Sequence, residues 1–250
     1  MFIDVHCHLD SNYYNDIDKV INNAKKNNVN KLIYNGCNKK SNKEVIKLIN
    51  KYDSVYGAVG YHPTELNDVN EKDYELLESL LSNKKIVAIG EIGLDYHYPD
   101  TNKEKQKYAF RRQLELAEKH NIPVIVHSRD AIQDTFDIMS EYNIKGVIHC
   151  FSGSVEMAKE FIKKGFLISV GGIITFKNAK NIIEVIKNID LSYILLETDS
   201  PYLTPEPFRK EQNEPMYIPI IASKIADILN VSIEEVSSKT TENAKRLFDF

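Results

Sequence analysis

Eight short apolar runs, separated by longer amphipathic stretches, constrain this chain more than any other feature. They are FIDVHCHL (2–9), KLIYNGC (31–37), VYGAVGYH (55–62), IVAIGEIGLD (86–95), PVIVHS (123–128), GVIHCF (146–151), FLISVGG (166–172) and YILLETD (193–199). Each is rich in β-branched or aromatic residues and ends in Gly, Pro or polar punctuation, the pattern of a buried strand. Between them, stretches such as KEVIKLINKY, KYAFRRQLELAEKH and AKEFIKKGF return apolar residues every three or four positions, as helices do. Strands alternating with helices build right-handed βαβ units on a parallel sheet. Eight of them in 250 residues predict an α/β fold, a closed (β/α)8 TIM-type barrel forming one domain over 1–250. A doubly wound open sheet is the alternative. The segment from Glu214 onward predicts two further helices packed outside the barrel.

A net charge of −4 argues against a broad basic face for nucleic acid, though not against an enzyme that grips one strand locally. No run approaches the roughly 18 apolar residues of a membrane span, and no basic-then-apolar leader is seen. Cys7, Cys37 and Cys150 are three, so at least one is unpaired within the chain, which fits a reduced cytoplasmic setting.

The chemistry-bearing residues gather where barrels and open α/β sheets keep their active sites, at the carboxyl ends of strands. His6 and His8 are two apart and share one face of the first run, with Cys7 on the other. Adjacent neutral imidazoles suit a divalent cation; the plainer reading is a hydrogen-bonded pair at the barrel mouth. Glu91, His127, His149 and Asp199 end the fourth, fifth, sixth and eighth runs. Such nitrogen and oxygen donors suit Zn²⁺, Mn²⁺, Mg²⁺ or similar ions without thiolates. Six ligands suffice for two divalent ions if one carboxylate bridges, and Glu91, on a central strand, is the expected bridge. Two cations beside a water bring its pKa toward neutrality, and Asp199 can bind metal and also orient or deprotonate that water.

The motifs DVHCHLD, GYHPTE, GEIGLDYHY, PVIVHSRDA, IHCFSGS, ETDSPYLTPEP and NEP occur in this order. Together they make the chain resemble the TatD-type metal-dependent deoxyribonucleases, within the wider amidohydrolase-like metallohydrolases, over essentially its whole length. The resemblance implies that His6, His8 and Asp199 hold one ion, that His127 and His149 hold the other, and that Glu91 bridges. It also implies phosphodiester hydrolysis in DNA. Before NEP the family carries a short basic stretch, whereas FRKEQNEP inserts Glu211 and Gln212. That interruption and the negative charge favour single strands or accessible ends over long duplex, with no membrane and no obligate protein partner expected.

Three residues are candidates for substrate contact: His62 after the third run, Arg129 two residues past His127, and Arg209 in the loop after the eighth run. Their plainer readings are structural bonds or salt bridges, to Asp130 in the case of Arg129. Asp95 and His97 read as supporting or loop-ordering groups, and Glu197 as a deeper internal hydrogen-bonding group. His120 falls at the opposite end of the barrel and is excluded. A small-molecule amidohydrolase or esterase on the same barrel is the principal rival. A carboxylated lysine often bridges metals in that wider group, and the GEIGLD motif offers none. A non-catalytic metal-binding protein is the other rival.

Overall fold

β-Branched residues occur in all eight strands of the structure, a computed structural model that describes residues Met1–Phe250. In chain order the elements are β1 (Phe2–Cys7), α1 (Ile17–Lys26), β2 (Val29–Asn35), α2 (Lys39–Lys51), β3 (Val55–Val59) and α3 (Glu71–Leu80). There follow β4 (Ile86–Asp95), α4 (Lys103–His120), β5 (Val124–Arg129), α5 (Ile132–Met139), β6 (Gly146–Ile148) and α6 (Val155–Lys163). The last are β7 (Leu167–Val170), α7 (Lys180–Asn188), β8 (Ile194–Leu196), α8 (Ile218–Leu229) and α9 (Ile233–Phe248). The sheet runs in the order β1 to β8, and a parallel bridge between Cys7 and Ser200 joins the first strand to the end of the eighth. This is the (β/α)8 barrel. No single helix is long and apolar enough to cross a membrane.

The chain divides into two compact units, Met1–Tyr34 with His149–Phe250, and Asn35–Ile148. In the first, β1 pairs with β2 and β7 with β8. Beyond the regular ladder, the Asp199 N–H donates to the His6 carbonyl (2.9 Å) and the His8 N–H to that of Ser200 (2.7 Å). Helix α9 secures both strands from outside. Ser237 and Thr241 hydroxyls donate to the Met1 carbonyl at 2.7 and 2.9 Å, and the Asn243 amide donates to Leu191 and Ile194 at 2.9 and 2.8 Å. Its buried face carries Val236, Leu247 and Phe248, and each large apolar side chain contributes about 1.5–3 kcal/mol.

In the second unit, β4 is ten residues long and buried throughout, with β3 on one side and β5 on the other. The register pairs Gly93 with His127 and Asp95 with Arg129. Gly93 has φ 137°, and a Cβ there would stand 2.0 Å from the His127 carbonyl oxygen, so only glycine lets the two strands approach at the site. Where β3 ends, side-chain amides replace the ladder. Asn42 of α2 bonds both backbone groups of Gly60 (2.9 and 3.1 Å), and Gln113 of α4 bonds both of Tyr61 (2.7 and 3.1 Å). Two turns earlier on α4, Gln106 does the same for Asp95 (2.8 and 3.0 Å).

Candidate metal centre

In the first unit, three ligand atoms converge. His6 Nε2 and His8 Nε2 lie 3.2 Å apart, and each is 3.5 Å from Asp199 Oδ1. A tetrahedral shell with bonds of about 2.0–2.1 Å has donor-to-donor edges of roughly 3.3–3.4 Å. The triangle therefore fits a divalent ion. One proton could lie on a single edge of it, whereas a cation satisfies all three atoms. His149 joins this group: its ring stacks on His6 with centroids 3.9 Å apart, and His6, His149 and Asp199 offer ligand atoms within 4.8 Å of one another. Burial opposes charge on Asp199, but the hydrogen bond with His8 and the neighbouring imidazoles outweigh it and hold the carboxyl below its ordinary range.

Two buried carboxyls shape this cluster without belonging to it. Asp4 Oδ1 accepts the backbone N–H groups of His6 (3.2 Å) and Thr198 (3.0 Å), and its Oδ2 lies 2.5 Å from the Thr198 hydroxyl. It thus ties the ligand-bearing end of β1 to that of β8. Burial pushes the Asp4 carboxyl up to about 8, against the pull of its hydrogen bonds. Glu197 accepts the Cys150 N–H (2.6 Å) and the Ser169 hydroxyl. Its distance to His149 Nδ1 is 3.6 Å, too long for a hydrogen bond. These contacts take backbone donors that a longer strand would have paired, and the chain turns left-handed beside them, at Cys150 (φ 44°) and Asp199 (φ 54°). Aspartate tolerates that conformation better than most residues.

In the second unit, Glu91 Oε1 lies 3.0 Å from His127 Nδ1 and 3.5 Å from His62 Nε2. Asp95 Oδ2 stands 3.1 Å from His127 Nε2. When His127 donates its Nε2–H in a hydrogen bond to Asp95, the Nδ1 lone pair is left on the side of Glu91, the carboxylate–histidine arrangement that serves metal ligands. Burial works against charge on Asp95, but His127, the His97 N–H and Arg129 hold it below the ordinary range. His62 differs. Its Nδ1 receives the Thr64 N–H (3.2 Å), a group that can only donate, so the neutral ring carries its proton on Nε2, toward Glu91. Cys37 donates its thiol to Glu91 Oε2 at 3.5 Å.

A family model described as TatD related DNase matches residues 3–249. The chain belongs to the TatD family. YabD of Bacillus subtilis (strain 168), described as an uncharacterized metal-dependent hydrolase, is 43% identical over 252 residues, covering 99% of each chain. Among solved structures, YJJV, a TatD homolog from Escherichia coli K12, superposes with a TM-score of 0.95 at 30% identity, over 100% of this chain and 98% of that one. A TatD-family hydrolase from Entamoeba histolytica gives 0.85 at 28% identity, over 99% and 97%. The protein is a metal-dependent hydrolase with His, Glu and Asp groups able to bind metal.

Around these TatD-family residues the substrate candidates stand as follows. Arg129 is exposed, its guanidinium 6.0 Å from the Tyr98 ring. Asp130, weighed as its partner, instead pairs with His97 at 3.1 Å, which orders the loop after β4. The Arg209 guanidinium lies 3.9 Å over the Phe176 ring and donates to the Thr204 carbonyl at 2.9 Å, so part of it is committed to the loop after β8. His120 pairs with Glu78 at the end of α4. Asp4, Cys37, Gln106 and Gln113 escape the sequence reading. Asp4 is legible afterwards by parity, because positions 4 and 6 of one strand share a face.

Proposed function

We propose that the two clusters act as one dinuclear centre bridged by Glu91, and that the protein is a deoxyribonuclease, preferring single strands or accessible ends. The observation that carries the reading is the convergence of His6 Nε2, His8 Nε2 and Asp199 Oδ1 on one point at ion-fitting distances. Membership of a family whose model is described as TatD related DNase supports DNA as the substrate ahead of other hydrolysable esters and amides. His6, His8, His149 and Asp199 would hold ions from the first unit, and Glu91 and His127 from the second. Bound divalent ions, Zn²⁺, Mn²⁺ or Mg²⁺, bring a water toward neutrality in pKa and offset charge on phosphoryl oxygens.

The residues of the chain supply the rest. Asp199, held ionised, orients the attacking water and accepts its proton. His62 Nε2–H donates to a phosphate or leaving-group oxygen, which fits the tautomer fixed by Thr64 better than ligation does. Asp4 and Asp95 hold ligand backbone and ligand ring in place, and Arg129 adds positive charge at the exposed end of β5. The reduced thiols of Cys7, Cys37 and Cys150 suit a reducing cytoplasm.

The test uses metal-depleted protein reloaded with Zn²⁺, Mn²⁺ or Mg²⁺ and offered a labelled single strand, its blunt duplex, a simple carboxylic ester and an amide. Metal-dependent cleavage of the single strand, faster than of the duplex, is expected. Ester or amide turnover without strand cleavage would make the protein a small-molecule hydrolase, and no turnover would remove the enzymatic reading.

A further inference from the structure

Two exposed tyrosines stand beside the first metal cluster, and no step above uses them. Tyr13 follows β1 and Tyr202 follows β8; they are 40% and 48% exposed, and exposed aromatic side chains of this size are few on the molecule. Their hydroxyls lie 2.6 Å apart and their rings meet edge to face, centroids 5.8 Å apart. The Tyr202 ring is 6.2 Å from that of His8.

The backbone behind them is fixed. The Tyr202 N–H donates to the Asp199 carbonyl at 2.9 Å, so the tyrosine turns directly out of a metal-binding residue. Its carbonyl accepts the Asn213 amide at 2.5 Å, and the Tyr13 carbonyl accepts the Gln212 amide at 2.9 Å. The Tyr14 hydroxyl closes the arrangement on the Asn213 carbonyl at 2.5 Å. Gln212, one of the two residues that interrupt the basic stretch, is thus the residue that braces Tyr13. A rigid, half-exposed aromatic surface offers little entropy cost and a π-face that any base can stack on.

We propose that Tyr13 and Tyr202 form a stacking platform for the nucleobase next to the scissile phosphate, so that part of the grip on the strand comes from a base rather than from cations. This rests on the nucleic-acid reading above. It also goes further, because it assigns a base-binding subsite and explains how a chain of net charge −4 can hold a single strand. A base paired and stacked within a duplex cannot reach such a platform, whereas an unpaired or terminal one can.

The test compares two phosphorothioate single strands, resistant to cleavage, one with all its bases and one with abasic sites, binding to the metal-loaded protein by fluorescence anisotropy. Cleavage of the ordinary strand is followed in parallel. Wild type is expected to favour the base-bearing strand by roughly tenfold, the size of one stacked base. Tyr13→Ala and Tyr202→Ala should each shrink that preference and raise KM more than they lower kcat. Tyr13→Phe and Tyr202→Phe, which keep the rings, should retain it. Equal binding of both strands by wild type, or undiminished preference in both alanine variants, would overturn the platform. Preference without any cleavage would sink the nuclease reading and leave the platform standing; cleavage without preference would do the reverse. Neither binding nor cleavage would remove both.

Discussion

Replacing Gln113 by alanine tests how the strand that leads into His62 is held. Gln113 is buried, and its side chain satisfies the Tyr61 N–H at 2.7 Å and the Tyr61 carbonyl at 3.1 Å, just past the end of β3. Truncation leaves both backbone groups buried without that partner, at about 1–3 kcal/mol each. The sum is about 2–6 kcal/mol, and water entering the vacated volume brings the expectation to about 2–4 kcal/mol. For a chain of this length that lowers Tm by roughly 4–16 °C. Urea denaturation of the metal-free variant beside wild type reads the loss directly. Gln113→Glu keeps an acceptor for the N–H but has no donor for the carbonyl, so it should also destabilise. Cleavage should fall in both, because His62 is the next residue. An alanine variant within about 0.5 kcal/mol of wild type, a change typical of a neutral surface site, would show that the amide is not what holds this segment.

Three further outcomes are expected. Glu91→Ala should lower metal content in both clusters and abolish hydrolysis, because close cations repel strongly without a carboxylate between them; two tightly bound ions per chain in metal analysis would refute the bridge. Asp199→Asn should keep the fold and part of the metal but lose about 10²–10⁴-fold in rate, and a variant above a tenth of the wild-type rate would remove Asp199 as the base. Asp4→Asn probes the buried carboxyl in metal-free protein. With its pKa raised from 3.8 to about 8, the stability it contributes is complete below pH 3.8 and is lost as pH rises through about 8. The amide cannot ionise, so the stability of variant minus wild type should grow by roughly 2–3 kcal/mol between pH 6 and pH 8. An unchanged difference would mean that Asp4 is already ionised at the lower pH.

The eight strands are legible because a fully buried strand must be short, apolar and punctuated, and nothing else in this chain has that form. Their ends are not. GVIHCF and YILLETD read as six and seven residues of strand, yet β6 and β8 keep three each. The reason lies in distant partners: Glu197 takes the Cys150 N–H and Asp4 takes that of Thr198, and neither contact is local in sequence. The candidate ligands can be named from strand ends alone, but not their grouping. His149 stacks on His6, and His62 faces Glu91 and His127, through side-chain directions that strand order leaves open. Gln106 and Gln113 could have been suspected, since polar residues seven apart lie on the buried face of α4.

The division of the chain into a continuous segment, Asn35–Ile148, and a discontinuous one has a consequence for how the protein is made. During synthesis His6 and His8 emerge first, but the partner they converge with, Asp199, follows almost two hundred residues later. The Met1 carbonyl waits longer still for Ser237 and Thr241 of α9. Contacts of such sequence separation form late, after nearer ones have shortened the chain between them. The continuous segment, whose strands pair with near neighbours, is therefore the part that takes shape while translation continues. The first cluster assembles last, so a chain interrupted before β8 carries all three of its histidines but not the triangle that fits an ion.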